Sequence, residues 1–200
     1  MKKFLPRAFL ATALLSTALA LPAIAALKQG EKAPDFDAQA SLAGKEFKFS
    51  LKDALKKGPV VVYFYPSAYT QGCNIQAHTF AENKEKFDAA GATIIGVSQD
   101  SIARLNQFSA DPEYCAGKFP VASDADGSIA KSYNLSVREG RPGMKDSKGN
   151  DIDHGFTERT TFVINPDHQI LATLSSADDK ITPADHVDKS LAIVEGLKKK

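Results

Sequence analysis

Two runs of β-branched and aromatic residues show no polar alternation, which is typical of strands covered on both faces. The first run spans residues 60–65 and ends at Pro66, and the second spans residues 92–97. Between the runs, apolar positions recur at helical spacing, which predicts a helix of roughly four turns that begins near Cys73. The chain therefore places a cysteine at the start of a helix, directly after a buried strand.

The rest of the pattern continues to alternate between strands and helices. Residues 46–49 alternate polar and apolar side chains as a half-buried strand does, and Asp100 is the predicted cap of the next helix. That helix places Ile102, Leu105 and Phe108 inward, and a short strand at residues 120–122 and a small helix at residues 128–133 follow it. Residues 136–157 form a long loop or hairpin, and strands at residues 160–164 and 169–174 form a second hairpin. The final predicted helix starts at Thr182-Pro183 and places four residues inward: Val187, Leu191, Val194 and Leu197. This order predicts a three-layer α/β domain, a mixed central sheet flanked by helices.

The first 25 residues have the layout of a secretory signal. Three basic residues precede an apolar run over residues 8–21, and Ala23-Ile24-Ala25 follows as a cleavage site. The alternative is an uncleaved membrane anchor, but the run is shorter than the ~20 residues that a spanning helix needs. We expect cleavage after Ala25, export to the periplasm or secretion, and a single domain over residues 26–200 with no membrane association.

Charge and cysteine content narrow the function. The chain has 25 Lys and Arg residues against 24 Asp and Glu residues, so no basic surface is predicted and nucleic acid is not an expected partner. Two cysteines are too few for a disulfide scaffold or for a four-thiolate zinc site. Any sulfur chemistry must therefore use Cys73, Cys115 or both.

A cysteine at a helix start favours the thiolate, because unpaired N–H groups and the helix dipole point at it. Lowering the pKa of a thiol from ~8.5 to ~6 requires about 3.4 kcal/mol. A helix dipole contributes at most about 2 kcal/mol, so a fixed cation is needed as well. Thr70 can present its hydroxyl to the Cys73 sulfur or to an oxygen bound beside it, and Pro66 can shield the thiolate from water.

Pro66, Thr70 and Cys73 match the Pro-x-x-x-Thr-x-x-Cys signature, and the stretch resembles that of peroxiredoxins. Residues 32–36 (Lys-Ala-Pro-Asp-Phe) and the Arg-Thr-Thr-Phe-Val segment that starts at Arg159 look like the bacterioferritin-comigratory, or Q-type, branch of the AhpC-TSA-like proteins. The resemblance implies a thioredoxin-like fold and a peroxidase that reduces hydrogen peroxide and organic hydroperoxides without a metal or other cofactor.

The same resemblance assigns roles to residues. The Cys73 thiolate would attack a peroxide oxygen and become a sulfenic acid, and Arg159 would supply the required cation. Arg159, the Thr70 hydroxyl and the Cys73 N–H would hold the peroxide oxygens. Gln76 would orient the side chains of the site. The resemblance also implies a thioredoxin-like protein or a small thiol as the reductant, and an enzyme that is a monomer or a weak homodimer.

Two departures from the family pattern concern the cysteine region. The family usually has proline where this chain has Gln71, which loosens the loop without removing a catalytic atom. His78 occupies the position where many members carry the resolving cysteine. Cys115 is the other thiol, just beyond a helix on a segment expected to be mobile, and it is either the resolving cysteine or a structural residue of a one-cysteine enzyme.

Two other functions remain possible from the residues alone. A thioredoxin-like thiol–disulfide oxidoreductase normally needs Cys-x-x-Cys, whereas Cys73 is followed by Asn, Ile and Gln. The other is a thioredoxin-fold binding module without catalysis, which would leave Cys73 unoxidised by peroxide. His154, His168 and His186 lie in polar stretches and are expected to be solvated.

Overall fold

The structure is a computed structural model that describes residues 25–198. The signal peptide predicted over residues 1–25 lies outside the described residues except for Ala25. Within the described range, no helix is both long and apolar enough to cross a membrane.

The elements in chain order are β1 (Asp37–Leu42), β2 (Lys45–Ser50), α1 (Leu51–Leu55), β3 (Val60–Phe64), α2 (Gln71–Ala89), β4 (Thr93–Ser98), α3 (Ile102–Ala110), β5 (Val121–Ser123), α4 (Ser128–Ser132), β6 (Val137–Arg138), β7 (Phe156–Thr157), β8 (Thr160–Ile164), β9 (Ile170–Ser175), α5 (Ser176–Asp179) and α6 (Pro183–Leu197).

Seven strands form one sheet in the order β2-β1-β5-β4-β3-β8-β9. At its centre, β3 runs parallel to β4 and antiparallel to β8, so the sheet is mixed as predicted. All of β3 is buried, because its alternate side chains enter two separate apolar cores. Val61 and Tyr63 pack with α2, α3 and α6, whereas Val62 and Phe64 pack with α1 and α4. The predicted three-layer α/β architecture is therefore confirmed.

The long polar stretch between α4 and β8 was expected to be a loop or hairpin. It contains a separate two-stranded antiparallel sheet, in which β6 pairs with β7. The prediction is confirmed, and the pairing returns the chain to the side of β8 where the cysteine-bearing loop lies.

The prediction that Asp100 caps α3 is wrong. Ser101 is the N-cap, and its hydroxyl accepts a hydrogen bond from the Arg104 N–H at 3.3 Å. Asp100 is instead fully buried, and its carboxylate accepts hydrogen bonds from the Ala68 N–H at 2.8 Å and from the Ser98 hydroxyl at 2.7 Å. A carboxylate that satisfies buried donors of the neighbouring loop is not available to cap the helix.

The final helix begins as predicted, with Thr182 as the N-cap of a capping box completed by Asp185. Val187 and Val194 are buried as predicted. Leu197 is 38% exposed, so its predicted inward position is wrong. Leu197 is the last residue of the helix, where the apolar stripe is no longer covered.

Candidate active site

Cys73 is the third residue of α2 and is 1% exposed. The helix begins two residues earlier than predicted, with Thr70 as its N-cap. Within the described chain, the Thr70 side chain makes no capping hydrogen bond, and its hydroxyl donates to the Ser67 carbonyl at 2.8 Å. The Thr70 side chain therefore leaves the N–H groups of the first turn, including that of Cys73, available to an anion or a peroxide oxygen.

The predicted cation lies against the sulfur. Arg159 immediately precedes β8, and its Nη2 lies 3.2 Å from the Cys73 Sγ. Gly72 makes this approach possible, because a Cβ at that position would lie 3.1 Å from Nη2. A side chain from the far end of the sequence thus supplies the charge that the helix dipole alone could not.

Gln76 lies one turn after Cys73 and is fully buried. Its Oε1 accepts a hydrogen bond from Nη1 of Arg159, so the structure brings the predicted orienting residue and the predicted cation together. The Gln76 Nε2 in turn lies 3.5 Å from the Thr161 hydroxyl, which contacts Nδ1 of His186 at 3.0 Å.

His186 was expected to be solvated, and this is wrong, because it is fully buried. Burial, together with the charge of Arg159, lowers the pKa of His186 to about 4. Periodicity could have revealed this position. His186, Ser190 and Val194 recur every four residues and form one buried line along α6.

A second buried group fixes the loop between β3 and α2. Asp100 accepts from the Ala68 N–H of this loop and contacts Nε2 of His154 at 2.9 Å, and it pairs with Arg104 at 2.8 Å. Burial lowers the pKa of His154, but the hydrogen bond and charge of Asp100 outweigh it, so the pKa is raised above 6.5. His154 is therefore not solvated as expected, and it ties the loop over residues 136–157 to the cysteine loop.

Pro66 lies in the loop between β3 and α2. It lines a cavity of about 260 Å³ together with the short β6–β7 segment. The other lining residues are Arg138, Glu139, Arg141, Met144 and Phe156. The structure thus places Pro66 beside an open space, between the cysteine loop and the segment that His154 anchors.

Cys115 follows α3, as predicted, but its thiol is fully buried. It belongs to the same apolar core as Cys73, and both cysteines are free thiols. Burial raises the pKa of Cys115 well above 9.0, so it is held as a neutral thiol. His78 lies on the surface, where its Nδ1 contacts the Glu113 carbonyl at 2.9 Å, and it takes no part in the site.

The chain and its fold match known proteins. The chain belongs to the AhpC/TSA family, whose model matches residues 29–173. Peroxiredoxin Bcp of Xanthomonas campestris pv. campestris is 32% identical over 136 residues, which are 68% of this chain and 76% of that protein.

Solved structures agree with this assignment. The crystal structure of peroxidoxin BcpB from Mycobacterium tuberculosis has a TM-score of 0.69 and 29% identity, and the match covers 85% of this chain and 97% of that one. Peroxiredoxin Q of Xanthomonas campestris has a TM-score of 0.61 and 28% identity, with 79% and 89% of the two chains covered.

The chain is therefore a thiol-dependent peroxidase with a thioredoxin-like peroxiredoxin fold. Its substrates are a hydroperoxide and a thiol reductant. In residues 25–198, no group of three or more His, Cys, Asp and Glu side chains is arranged to hold a metal ion.

Proposed function

We propose that Cys73 is the peroxidatic cysteine of this enzyme. One observation carries the proposal: the cysteine at the start of α2 has a guanidinium nitrogen of Arg159 3.2 Å from its sulfur. Because Cys73 is almost completely buried, the charge of Arg159 acts through a medium of lower effective dielectric than water, where it stabilises a thiolate more strongly.

The reaction is a displacement at oxygen. The Cys73 thiolate attacks the terminal oxygen of the hydroperoxide, the S–O bond forms, and the O–O bond breaks with its electron pair on the leaving oxygen. That oxygen takes a proton and departs as water or an alcohol, and Cys73 becomes a sulfenic acid. Arg159 and the Cys73 N–H stabilise the charge that develops on the oxygens. The Thr70 oxygen, whose own proton is directed at Ser67, accepts the hydrogen bond of the peroxide.

Replacing the nucleophile tests this assignment. Cys73→Ser should abolish peroxide reduction and leave the fold intact, because serine preserves the size of the side chain and removes the thiolate. Circular dichroism and thermal unfolding provide the control for folding. Turnover of Cys73→Ser near the wild-type rate would contradict the assignment.

We further propose that Cys115 resolves the sulfenic acid through an intramolecular disulfide. One observation supports this: both cysteine side chains are buried in one apolar core. Both cysteines are buried as free thiols, and a disulfide requires their Cα atoms to come within about 7 Å. We therefore expect the segments that carry Cys73 and Cys115 to unfold locally after Cys73 is oxidised.

Mass spectrometry distinguishes this from a one-cysteine mechanism. An equimolar amount of hydrogen peroxide should convert the reduced wild type to a monomer two hydrogens lighter, with a peptide that joins Cys73 to Cys115. Cys115→Ser should instead accumulate a sulfenic acid that dimedone traps. Equal accumulation of sulfenic acid in both proteins would make Cys115 structural.

A thioredoxin-like protein or a small thiol is the proposed reductant, and the enzyme is proposed to be a monomer or weak homodimer. Steady-state turnover with thioredoxin and with glutathione identifies the reductant, and sedimentation at several concentrations gives the association state.

Residues 1–25 are proposed to direct export to the periplasm, with cleavage after Ala25. Amino-terminal sequencing of the protein from a periplasmic extract tests that site.

A further inference from the structure

A line of hydrogen bonds runs from Arg159 away from the sulfur and into the core. It passes through Gln76, Thr161 and His186 and ends at the Ser176 hydroxyl, which lies 2.8 Å from Nε2 of His186. Gln76, Thr161 and His186 are all 0% exposed. The line therefore joins α2, β8, α6 and α5 through polar side chains that are shielded from solvent.

The guanidinium fixes the direction of the first two bonds in this line. Because Arg159 can only donate, the carbonyl oxygen of the Gln76 amide must face it and the amide nitrogen must face Thr161. The Thr161 oxygen accepts from that nitrogen and keeps its own proton for a further acceptor. In the His186 tautomer protonated on Nε2, Nδ1 accepts that proton and Nε2 donates to Ser176.

This order requires a neutral His186, and the surroundings keep it neutral. Burial and the charge of Arg159 lower the pKa of His186 to about 4, against a smaller opposing effect of Asp179 and Asp185. A neutral ring protonated on Nε2 therefore keeps Nδ1 as an acceptor throughout the neutral range.

We propose that Thr161 and His186 are positioning residues that fix the orientation of the Gln76 amide and thereby hold the Arg159 guanidinium on the Cys73 sulfur. If the amide turned over, its NH₂ group would face the guanidinium, and two donors would oppose each other in a site without solvent. The inference rests on the proposed function, because it takes Cys73 as the reacting thiol.

The same strand provides a matched control. Thr160 precedes Thr161 on β8 and is equally buried. Because side chains alternate along a strand, it shares the face of Phe162, which packs in the opposite core. Within residues 25–198, its hydroxyl has no hydrogen-bond partner. Thr160→Val and Thr161→Val therefore delete the same group from neighbouring buried positions, and only the second breaks the line to Arg159.

The experiment compares Thr161→Val, Thr161→Ser and Thr160→Val, each in the Cys115→Ser background so that one thiol remains. Rapid mixing gives the rate constant for oxidation by hydrogen peroxide as a function of pH. Thr161→Val should lower this constant by about tenfold, equivalent to about 1.4 kcal/mol, and shift the midpoint of the pH profile upward because the thiolate is less stabilised. Thr161→Ser retains the hydroxyl and should restore both the rate constant and the pH midpoint. Thr160→Val should change neither of these two quantities.

Three results would overturn the inference: a wild-type rate and pH midpoint in Thr161→Val, equal losses in both valine variants, or failure of Thr161→Ser to restore activity. If Thr161→Val does not fold, His186→Phe, which keeps an aromatic side chain without ring nitrogens, provides the same comparison. Peptide mapping of the oxidised parent comes first. If peroxide leaves Cys73 of the parent unoxidised, the proposed function fails, and that result is distinct from any failure of the inference.

Discussion

Removal of the Arg159 guanidinium tests the electrostatic basis of the site. Arg159→Ala deletes a positive charge 3.2 Å from the Cys73 sulfur. At that distance and an effective dielectric of about 20, Coulomb's law gives about 5 kcal/mol between unit charges. Part of this attraction offsets the cost of burying both groups. Loss of one comparable charge-stabilising donor in other enzymes costs about 2.7–4 kcal/mol, or about 10²–10³ in rate.

The rate constant for oxidation of Cys73 by hydrogen peroxide should therefore fall by about 10²–10³-fold in Arg159→Ala. Thiolate absorbance should also require higher pH to develop. Arg159→Lys should recover only part of the rate, because one ammonium group cannot contact Cys73 and Gln76 in the bidentate manner of a guanidinium.

The assay is single-turnover oxidation by rapid mixing, paired with an ultraviolet titration of the thiolate in the Cys115→Ser background. Lys189→Ala, which removes an exposed cation from α6, is the charge-matched control and should react at the parent rate. An unchanged rate together with an unchanged thiolate titration in Arg159→Ala would refute the role of Arg159.

Three further predictions follow from the surroundings of the site. Gly72→Ala should maintain or raise the thermal midpoint, since alanine favours a helix by about 1 kcal/mol, yet lower the oxidation rate because its Cβ displaces the Arg159 guanidinium; a wild-type rate would contradict the close approach. Because the pKa of His186 is lowered to about 4 in the folded protein, the unfolded chain binds this proton at higher pH. The free energy of unfolding should therefore fall by on the order of 3 kcal/mol from pH 6.5 to pH 4. Denaturant titrations of His186→Phe should not show this loss of stability. Because the pKa of His154 is raised in the folded protein, its protonated form stabilises the fold fully below about pH 6.5, and this contribution is lost as pH rises through the folded-state pKa. In His154→Gln, the free energy of unfolding should therefore depend less on pH above pH 6.5. An unchanged pH dependence in this variant would show that the His154–Asp100 pair is not its cause.

The sequence was sufficient to predict the centre of the sheet and the residues that the structure brings together around Cys73. The unbroken apolar runs of β3 and β4 identify buried strands, since only strands covered on both faces lack polar alternation. Cys73 was predicted from a short signature at a helix start, whereas Arg159 and Gln76 were predicted from the resemblance to the Q-type branch. The structure adds the distances that join them.

Other parts depended on contacts that no local pattern specifies. Asp100 precedes a helix as a cap does, but the polar groups of the cysteine loop compete for its carboxylate. Thr161 and His186 lie on different elements and meet only when α6 packs against β8. β1 was missed because its buried positions carry alanine and serine, which give a weak hydrophobic alternation.

The identity of the oxidised sulfur is the most direct test of the account. Reduced wild-type protein is mixed with an equimolar amount of hydrogen peroxide, quenched with an alkylating reagent, and mapped by peptide mass. We expect the consumed peroxide to appear at Cys73, as a sulfenic acid or as the disulfide with Cys115. Consumption of peroxide with Cys73 still alkylated as a free thiol would contradict the account.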